Sequence, residues 1–470
     1  LSLPSAPMFA SAFVRPILLP ATCALLLAGC AGYRAQPLDP APPATHLTGD
    51  HLEAVRMAAD KIDHPLLHPM VIDGRGGYTP DELAVMVVVA SPQLRALRDQ
   101  RGVAQAQLIQ ARLLPNPQFS LGFDRLTGNS DPTLVNGRSL GLAWDISTLL
   151  AHGDQTTAAS AAAKAVDLDI AWEEWQTAEE ARLRTFRLLS LEQRLPLARR
   201  ATQDAAVRYE HFRRAATHRL VTLADVNAAG DAWNQAKGNV EALEQQIAAD
   251  RLWLNLALGQ APDARLPLKP VRPHLVFRPN PASVAELSAG LENRRLDLLA
   301  LRQGYESQEA SLRATIKSAF PKIGLNLGKA SDTSDVHTWN LGVTIDIPLF
   351  DRGQGVIAGA QATRQQLFDE FTARLAEARS QIVQLESDLD QTRRELRRAE
   401  ALLPDLRASA AGQEQAAASN NADDASLNDA RTQLVAAELN ASLLRQSVVE
   451  INVALEIATG RPLLDQTVTP

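Results

Sequence analysis

The chain has 470 residues and a formal net charge of −7, with 46% apolar residues but only 4% aromatic ones. Much of the apolar content is Ala and Leu, with Glu, Gln and Arg between them, a composition typical of long helices. The acidic balance and the lack of a basic stripe argue against a nucleic-acid partner, because binding to phosphates needs a basic surface.

The N-terminal segment has the pattern of a bacterial lipoprotein signal. An apolar run from Ile17 to Leu27 is too short to cross a bilayer and leads into Ala28-Gly29-Cys30. This ending looks like a lipobox, in which Cys30 becomes the lipidated first residue of the mature protein. Ala31 after it favours sorting to the outer membrane. The alternative is an ordinary signal peptide over residues 1–29 that ends in a chance cysteine.

The next segment, residues 30–80, is predicted to be a periplasmic tether. Four histidines occur in it: His46, His51, His64 and His68. A metal-binding tether is one interpretation. The other is a Pro-rich linker with scattered histidines, which we favour because no Cys or acidic partner recurs at ligand spacing. No later stretch has the roughly 18 consecutive apolar residues of a transmembrane helix, so a membrane-crossing part would have to consist of strands.

From residue 81 onward the sequence repeats itself at a lag of about 200 residues. Trp144-Asp145-Ile146 corresponds to Ile345-Asp346-Ile347, and Ala257-Leu258-Gly259 corresponds to Ala458-Thr459-Gly460. We therefore predict an internal duplication. Its first copy covers residues 81–278 and its second covers 279–463, with a tail at 464–470.

Both copies have the same predicted plan. A helix of about 35 residues is followed by a β-hairpin, a helix of about 70 residues, a polar turn and a final helix of about 35 residues. The first helices are predicted over Asp81–Leu114 and Ser283–Phe320, and the long ones over Thr148–Thr217 and Gly353–Asn420.

Sequence features also set the packing and the ends of these helices. In the second long helix the apolar positions step by four and three, as in Ala378, Ile382, Leu385 and Leu389, which predicts a coiled-coil-like seam. Pro196 and Pro404 are expected to kink the long helices or interrupt their packing. Gly259 and Gly460 are predicted C-caps of the final helices. Two 35-residue helices end to end match one long helix, which predicts that they lie beside it.

The predicted strands alternate between an apolar and a polar face. The apolar positions are Leu140, Leu142, Trp144 and Ile146, and Leu341, Val343, Ile345 and Ile347. The polar positions are Ser139, Gly141, Ala143 and Asp145, and Asn340, Gly342, Thr344 and Asp346. Four such strands cannot close a barrel alone, but three copies would supply a 12-stranded β-barrel with a water-filled lumen. A small sheet that caps a periplasmic helical bundle is the alternative.

Several of these features together resemble the TolC-type outer-membrane efflux family. They are the Leu-Leu-Pro-Asn-Pro step over Leu113–Pro117, the hairpins, the strand exit over Ile347–Asp351 and the duplication. The match covers about residues 81–463. The resemblance implies a mainly α fold with a small membrane β-hairpin part, assembled as a homotrimer. Its 12-stranded β-barrel would be continued by a long α-helical barrel through the periplasm.

The resemblance also implies partners. Such proteins form the exit duct of a tripartite pump and dock onto a periplasmic adaptor protein and an inner-membrane transporter. The stretch Phe350–Gly355 looks most like the branch that serves heavy-metal and cation exporters. A type I protein-secretion duct would have the same structure, and a non-channel periplasmic coiled-coil scaffold lipoprotein is the rival of another class.

The resemblance further suggests where a gate would lie. In that family the periplasmic tip closes around the turns after the long helices, and acidic rings there can narrow the pore. The gate candidates are Asp423, Asp424 and Asp429, with Asp225 as the counterpart of Asp429 in the first copy. The alternative for Asp423 and Asp424 is N-capping of the last helix, and both roles are compatible. The tip also lacks an obvious Gly hinge.

No enzyme motif is present in the sequence. There is no phosphate-binding Gly-rich loop, no His-Glu-x-x-His and no Gly-x-Ser-x-Gly. The carboxylate pairs Glu173-Glu174 and Glu179-Glu180 lie in a predicted long helix, where we expect ordinary solvated positions. We therefore predict no catalytic residue and no cofactor.

Overall fold

The computed structural model describes residues 33–38, 49–127, 133–269, 284–419 and 424–462. The chain divides into two units after Ala44, and the described residues of the first unit have no regular secondary structure. Cys30 and Asp423 lie outside the described residues, so the roles predicted for them stay predictions. All elements named below belong to the second unit.

Helices make up most of the second unit. Before the first strand come α1 (Gly49–Asp60), α2 (Pro80–Ala90), α3 (Pro92–Arg98) and α4 (Gln100–Arg112). The next elements are β1 (Gln118–Asp124), β2 (Gly137–Asp145), α5 (Thr148–Thr217) and α6 (Leu223–Ala257). The rest of the chain forms α7 (Val284–Ser288), a 3₁₀ turn (Leu291–Asn293), α8 (Leu296–Ser318), β3 (Lys322–Ser331), β4 (His337–Asp346), α9 (Gln354–Ala418) and α10 (Asp424–Thr459). Among the helices described, none is both long and apolar enough to cross a bilayer.

The four strands form one antiparallel sheet in the order β1-β2-β3-β4. Both predicted hairpins are confirmed. They are joined side by side, because β2 pairs with β3 and places Leu142 opposite Leu327. The strands β1 and β4 are the edges of the sheet.

The helix α5 organises the packing of the second unit. It has 70 residues and therefore extends over about 105 Å. Near its start, Thr156 Oγ1 donates to the Ala111 carbonyl of α4 at 3.1 Å. In its second half, Thr202 Oγ1 donates to the Ala236 carbonyl of α6 at 3.1 Å. A short helix and a final helix thus share the length of the long one, as the helix lengths predict.

The helix α9 packs through the seam that its sequence predicts. Ala378, Ile382 and Leu389 are buried in one hydrophobic cluster with residues of α7, α8 and α10. Both long helices continue through their prolines, Pro196 and Pro404, so neither proline ends its helix. At the ends of the final helices, Gly259 and Gly460 have φ of +68° and +63°, which confirms the predicted glycine C-caps.

The helix predicted over Asp81–Leu114 is broken, and this prediction is wrong. The chain turns at Ser91-Pro92, where proline disfavours a helical conformation for the residue before it. Ser91 instead caps the next helix, its Oγ accepting from the Leu94 N–H at 3.3 Å. The helix predicted over Ser283–Phe320 is interrupted as well, because Gly290 adopts a φ of +68° ahead of the 3₁₀ turn. A regular long helix begins there only at Leu296.

The segment around His64 is part of the folded body. The His64 side chain is 2% exposed. Its Nδ1 accepts from the backbone N–H groups of Leu66 and Leu67 at 3.0 and 3.1 Å, and its Nε2 donates to the Ala171 carbonyl of α5 at 2.9 Å. Burial lowers the pKa of His64, against the hydrogen bond to Ala171 and the nearby carboxylate of Glu174, which raise it. The imidazole is therefore neutral, and both of its nitrogens are engaged by the backbone.

The linker interpretation is thus wrong at His64. In the same segment, Val55 of α1 and Ile72 are buried in a core cluster with residues of α2, α5 and α6. His68 is exposed, and His46 lies outside the described residues. Within the described part of the chain, no group of three or more metal-ligating side chains is found.

Candidate functional site

One face of the sheet is apolar across all four strands. The strand register aligns Phe119, Leu142, Leu327 and Leu341 in one row across the sheet. Eleven large apolar side chains on this face are between 38% and 82% exposed: Phe119, Leu121, Phe123, Leu140, Leu142, Leu325, Leu327, Trp339, Leu341, Val343 and Ile345. A contiguous apolar surface of this kind marks contact with a membrane or a partner.

The opposite face of the sheet is polar and has small residues. One row across it consists of Ser120, Gly141, Gly328 and Asn340. A Cβ atom added at Gly141 would lie 2.5 Å from Ser120 Oγ, so the glycine leaves room for the neighbouring hydroxyl. The two alternating faces predicted from the sequence are therefore confirmed, and the polar face suits contact with water.

The sheet is tied to the helices below it at the Leu-Leu-Pro-Asn-Pro step. Trp144 Nε1 donates a hydrogen bond to the Pro115 carbonyl at 2.8 Å. Close by, Asp154 at the start of α5 binds Lys317 Nζ at 2.6 Å and Arg313 Nε at 3.2 Å, both from α8. Hydrogen bonding to Lys317 lowers the pKa of Asp154, and burial opposes this shift. These contacts connect the two hairpins to one helical base.

The turn between α5 and α6 is closed by local hydrogen bonds. Arg219 has a φ of +60°. The N–H groups of Arg219 and Leu220 bind the Ala216 and Ala215 carbonyls, both at 3.0 Å, which ends α5. Arginine thus occupies a left-handed position that glycine takes more readily.

Asp225 is engaged in a capping box at the start of α6. Its Oδ2 accepts from the Thr222 N–H at 2.8 Å, while Thr222 Oγ1 accepts from the Asp225 N–H at 3.2 Å. Hydrogen bonds from Thr222 lower the pKa of Asp225. Asp225, a gate candidate, is thus the third residue of a capping box whose N-cap is Thr222. Asp424 is the first residue of α10, and its side chain is not described.

Asp429 has a different partner from Asp225. Its Oδ1 lies 2.9 Å from Nη1 of Arg208, which belongs to α5 and is 221 residues away in sequence. The two side chains are 55% and 42% exposed. The guanidinium of Arg208 also lies over the ring of Phe212. Arg208 could not be identified from the sequence, because only the antiparallel packing of α5 and α10 brings the two positions together.

The Arg208–Asp429 pair is the last of a series of side-chain contacts between α5 and α10. Four arginines of α5 contact four polar residues of α10 in antiparallel order. We call these contacts the arginine seam: Arg182–Glu456, Arg187–Glu450, Arg194–Gln446 and Arg208–Asp429. The 26 residues from the first arginine to the last correspond to about 39 Å of helix. The seam joins the first half of the chain to the second.

The first pair of the arginine seam, Arg182–Glu456, is buried. The side chains of Arg182, Glu179 and Glu456 are 4%, 4% and 0% exposed. Arg182 Nη1 lies 3.2 Å from Glu179 and also contacts Glu456, and Arg182 Nε lies 2.8 Å from Asp81 of α2. One guanidinium therefore holds three carboxyl groups from three helices.

This cluster shifts the ionisation of Glu179. Burial raises the pKa of Glu179 to about 8, Arg182 opposes that rise, and the neighbouring Glu456 adds to it by repulsion and hydrogen bonding. Glu179 is therefore protonated at neutral pH and shares its proton with Glu456. The expectation that Glu174 and Glu179 are solvated is wrong, because both are buried, whereas Glu173 is exposed as predicted.

Comparison with solved structures identifies the fold. No protein-family model matches the chain, and no curated protein matches its sequence. The fold is nevertheless that of outer-membrane channel proteins. It is similar to CusC, a protein whose folding and transmembrane channel formation are accompanied by conformational changes. The two are 17% identical over 86% of this chain and 99% of CusC, with a TM-score of 0.65.

Two further structures are similar over similar lengths. The outer-membrane channel OprN is 17% identical, over 93% of this chain and all of OprN, with a TM-score of 0.64. The outer-membrane protein VceC of Vibrio cholerae is 16% identical, over 82% of this chain and 96% of VceC, with a TM-score of 0.62. The resemblance to TolC-type channels that we inferred from the sequence is thus confirmed at the level of the fold.

Proposed function

We propose that the chain is the protomer of an outer-membrane channel that serves as the passive exit duct of a tripartite efflux pump. The observation that carries this proposal is the exposed apolar face of the sheet, backed by a polar face with small residues. A water-soluble scaffold has no use for such a face, whereas a membrane channel needs lipid on one side of its wall and water on the other. The likeness of the fold to outer-membrane channels supports the proposal.

The two edge strands of the sheet, β1 and β4, indicate how copies of the chain would assemble. In lipid, the backbone groups of β1 and β4 would have no hydrogen-bond partners if the sheet stayed open. We propose that three copies join β4 of one protomer to β1 of the next and close a 12-stranded β-barrel. The helices then continue it as a long α-helical barrel. The order of elements in the two halves of the chain supports an internal duplication, with copies over residues 81–278 and 279–463.

The remaining parts of the proposal concern the localisation of the protein and its partners. Residues 1–29 are the signal peptide, and Cys30 carries the lipid that anchors residues 30–80 at the periplasmic side of the outer membrane. Residues 464–470 are a tail. The partners are two more copies of this chain, outer-membrane lipid, a periplasmic adaptor and an inner-membrane transporter. Since the transporter supplies the energy and chooses the cargo, the proposal covers the efflux of metals, other cations or drugs. Type I protein secretion is its close rival.

The proposal is tested by placing charges on the two faces of the same strands. The double variant L142D/V343D puts carboxylates on the apolar face, where they would meet lipid and destabilise the barrel. The double variant A143D/T344D puts the same charges one residue further along, on the polar face. We expect L142D/V343D to lose trimers from the outer-membrane fraction, and A143D/T344D to retain them.

Native mass spectrometry of the detergent-extracted protein supplies the second readout. We expect a trimer of lipid-bearing protomers that start at Cys30. Equal assembly of the two double variants, or a soluble monomer without lipid, would overturn the channel and favour the rival function, a periplasmic coiled-coil scaffold.

We further propose that carboxylates at the tip regulate the pore. Asp429 is the strongest candidate because it is exposed and bound across helices, with Asp423 and Asp424 close to it in sequence. Three copies of Asp429 around one axis would attract cations. Asp225 is the weaker candidate, since its carboxylate is held by Thr222.

Two variants separate a pore ring from a structural ion pair. D429N and R208Q both break the Arg208–Asp429 pair, but they change the local charge in opposite directions. If Asp429 lines the pore, D429N lowers the cation-to-anion permeability ratio in planar bilayers and R208Q raises it. If the permeability ratios of both variants shift in the same direction, or do not shift, Asp429 is only a structural partner of Arg208. D225N serves as the control, and we expect its permeability ratio to match the wild type.

A further inference from the structure

The apolar face of the sheet ends in basic side chains on the side of the hairpin turns. We propose that this edge, the basic rim of Arg138, Lys329 and His337, binds the phosphate groups of lipids in the outer leaflet of the membrane. The inference rests on the proposed function, which places the sheet in the outer membrane with its hairpin turns outward.

The strand register places all three residues on the apolar face. Lys329 lies opposite Leu140 on one side and Trp339 on the other. One row further out, Arg138 lies opposite Phe123, and His337 is in the same row, opposite Ser331. The basic rim thus occupies the last two rows of a face that is otherwise apolar.

The position of the basic rim fits the height of a bilayer. The helices join the sheet at the other end, near Ile345 of β4. From Ile345 to His337 the strand advances eight residues, or about 26 Å, and the usual tilt of barrel strands shortens this to about 20 Å. An outer-membrane barrel has an apolar band about 25 Å tall. The rows between Ile345 and His337 therefore cover most of the height of such a band, and the basic rim lies at its outer end.

The cationic side chains of Arg138 and Lys329 are exposed. Among the residues that the structure describes, no carboxylate lies within 4.0 Å of the charged nitrogens of Arg138 or Lys329. Lys329 Nζ lies 5.4 Å from the centre of the Trp339 ring, an aromatic residue of the type that occurs at membrane interfaces.

Among the described residues, three carboxylates lie at this end of the sheet, and none of them pairs with Arg138 or Lys329. Asp335 lies 3.9 Å from His337, the third residue of the basic rim. Asp332 accepts from the backbone N–H groups of Ser334 and Val336 and so holds the turn. Asp124 pairs with Gly137 in register and belongs to the polar face.

The charges on the two faces of the sheet indicate which ligand binds to the basic rim. On the polar face, the same end of the sheet has the acidic Asp124, so an anion passing through the channel would meet no basic site there. At this end of the described strands the basic residues Arg138, Lys329 and His337 all lie on the apolar face, whereas Lys322, on the polar face, lies at the helix end of the sheet opposite Asp346. A phosphate-bearing lipid offers both the acyl chains for the apolar rows and the anion for Arg138 and Lys329.

The test compares lipid binding by two charge-matched variants of the full-length trimer in detergent. R138Q/K329Q removes two cations of the basic rim. K164Q/R379Q removes two exposed cations from α5 and α9. Each protein is titrated with diphosphorylated lipid A in dodecyl maltoside micelles, and lipid retained per trimer is measured by native mass spectrometry. We expect R138Q/K329Q to weaken the apparent affinity by roughly tenfold and K164Q/R379Q to change it less than twofold.

A dephosphorylated form of the same lipid distinguishes phosphate recognition from acyl-chain binding. The inference expects this lipid to bind wild type and R138Q/K329Q equally. If phosphorylated and dephosphorylated lipid bind the wild-type trimer alike, or if both charge variants behave alike, the basic rim has no role in lipid binding and the channel proposal still stands. If the wild-type chain forms no membrane-extractable trimer, the channel proposal and this inference both fail.

Discussion

The two ends of the arginine seam place the same chemical pair in opposite surroundings. At one end, Arg182 and Glu456 are 4% and 0% exposed and are joined by two more carboxyl groups. At the other end, Arg208 and Asp429 are 42% and 55% exposed and form a simple pair. Both connect α5 with α10, so the helices and the distances are comparable, and the difference is solvation.

Solvation decides what each end can do. A buried guanidinium surrounded by carboxyl groups cannot lose its partners cheaply, because each charge left alone in the interior is strongly unfavourable. An exposed pair contributes little, typically below about 1 kcal/mol, because water replaces the partner. The buried end therefore fixes α2, α5 and α10 to one another. The exposed end can open at small cost, as the gate that we propose at Asp429 would require.

The largest expected effect is at the buried end of the seam. Arg182→Met leaves Asp81 and Glu456 without their cation, and we expect the free energy of unfolding to fall by about 3–5 kcal/mol. The matched variant Arg208→Met, at the exposed end, should cost less than about 1 kcal/mol. Urea unfolding of the detergent-solubilised protein measures both. Equal losses in the two variants would contradict the contrast between the ends.

The next prediction concerns the protonation of Glu179. Its pKa in the folded state is raised from 4.5 to about 8, so between these values the folded chain binds more protons than the unfolded chain. The free energy of unfolding therefore decreases as pH rises through this window. Glu179→Gln keeps a hydrogen-bond donor toward Glu456 and does not titrate. Its stability relative to wild type should therefore increase from pH 4.5 to pH 8.

Thermal unfolding at several pH values in this window tests that prediction, with Glu180→Gln as the control. Glu180 is the next residue of α5, but its side chain is 40% exposed and pairs with Arg184. Its variant should follow the wild type in parallel. His64 has a lowered pKa and adds a slope of the opposite sign below pH 6.5, but it is common to all three proteins and cancels in the differences. A parallel curve for Glu179→Gln would show that Glu179 is ionised throughout.

Local sequence signals predicted the parts of the fold that depend on neighbours in sequence. Alternation fixed the faces of the strands, and the limits of α5 followed from polar turns at both ends. The effect of proline was predicted only in part, since the helix predicted over Asp81–Leu114 runs through Pro92. Pro92 ends a helix, whereas Pro196 lies within one, because α5 is held along its length by packing that the local sequence does not reveal.

The arginine seam could not be predicted because its partners are far apart in sequence. Arg208 and Asp429 are separated by 221 residues, and Arg182 and Glu456 by 274. In the same way, Glu179 and Glu180 look alike in the sequence, yet one is buried and the other is partly exposed. Which face of α5 meets α10 depends on where the second half of the chain packs, and a periodicity within α5 alone does not contain that information.

The smallest expected effect on the free energy of unfolding is in the turn after α5, beyond the exposed end of the arginine seam. Arg219 closes the turn after α5 with a φ of +60°, a conformation that costs a residue with a Cβ atom more than it costs glycine, and in which asparagine is favoured among the others. Arg219→Asn should therefore raise the free energy of unfolding by about 0.5 kcal/mol. Arg213→Asn, on an exposed helical position of α5, should lower it slightly through its helix propensity. Urea midpoints of the two variants, measured side by side, give the sign. A loss at Arg219 as large as that of Arg182→Met would mean that the tip is as rigidly built as the buried end, and the tip would then need another element to supply its motion.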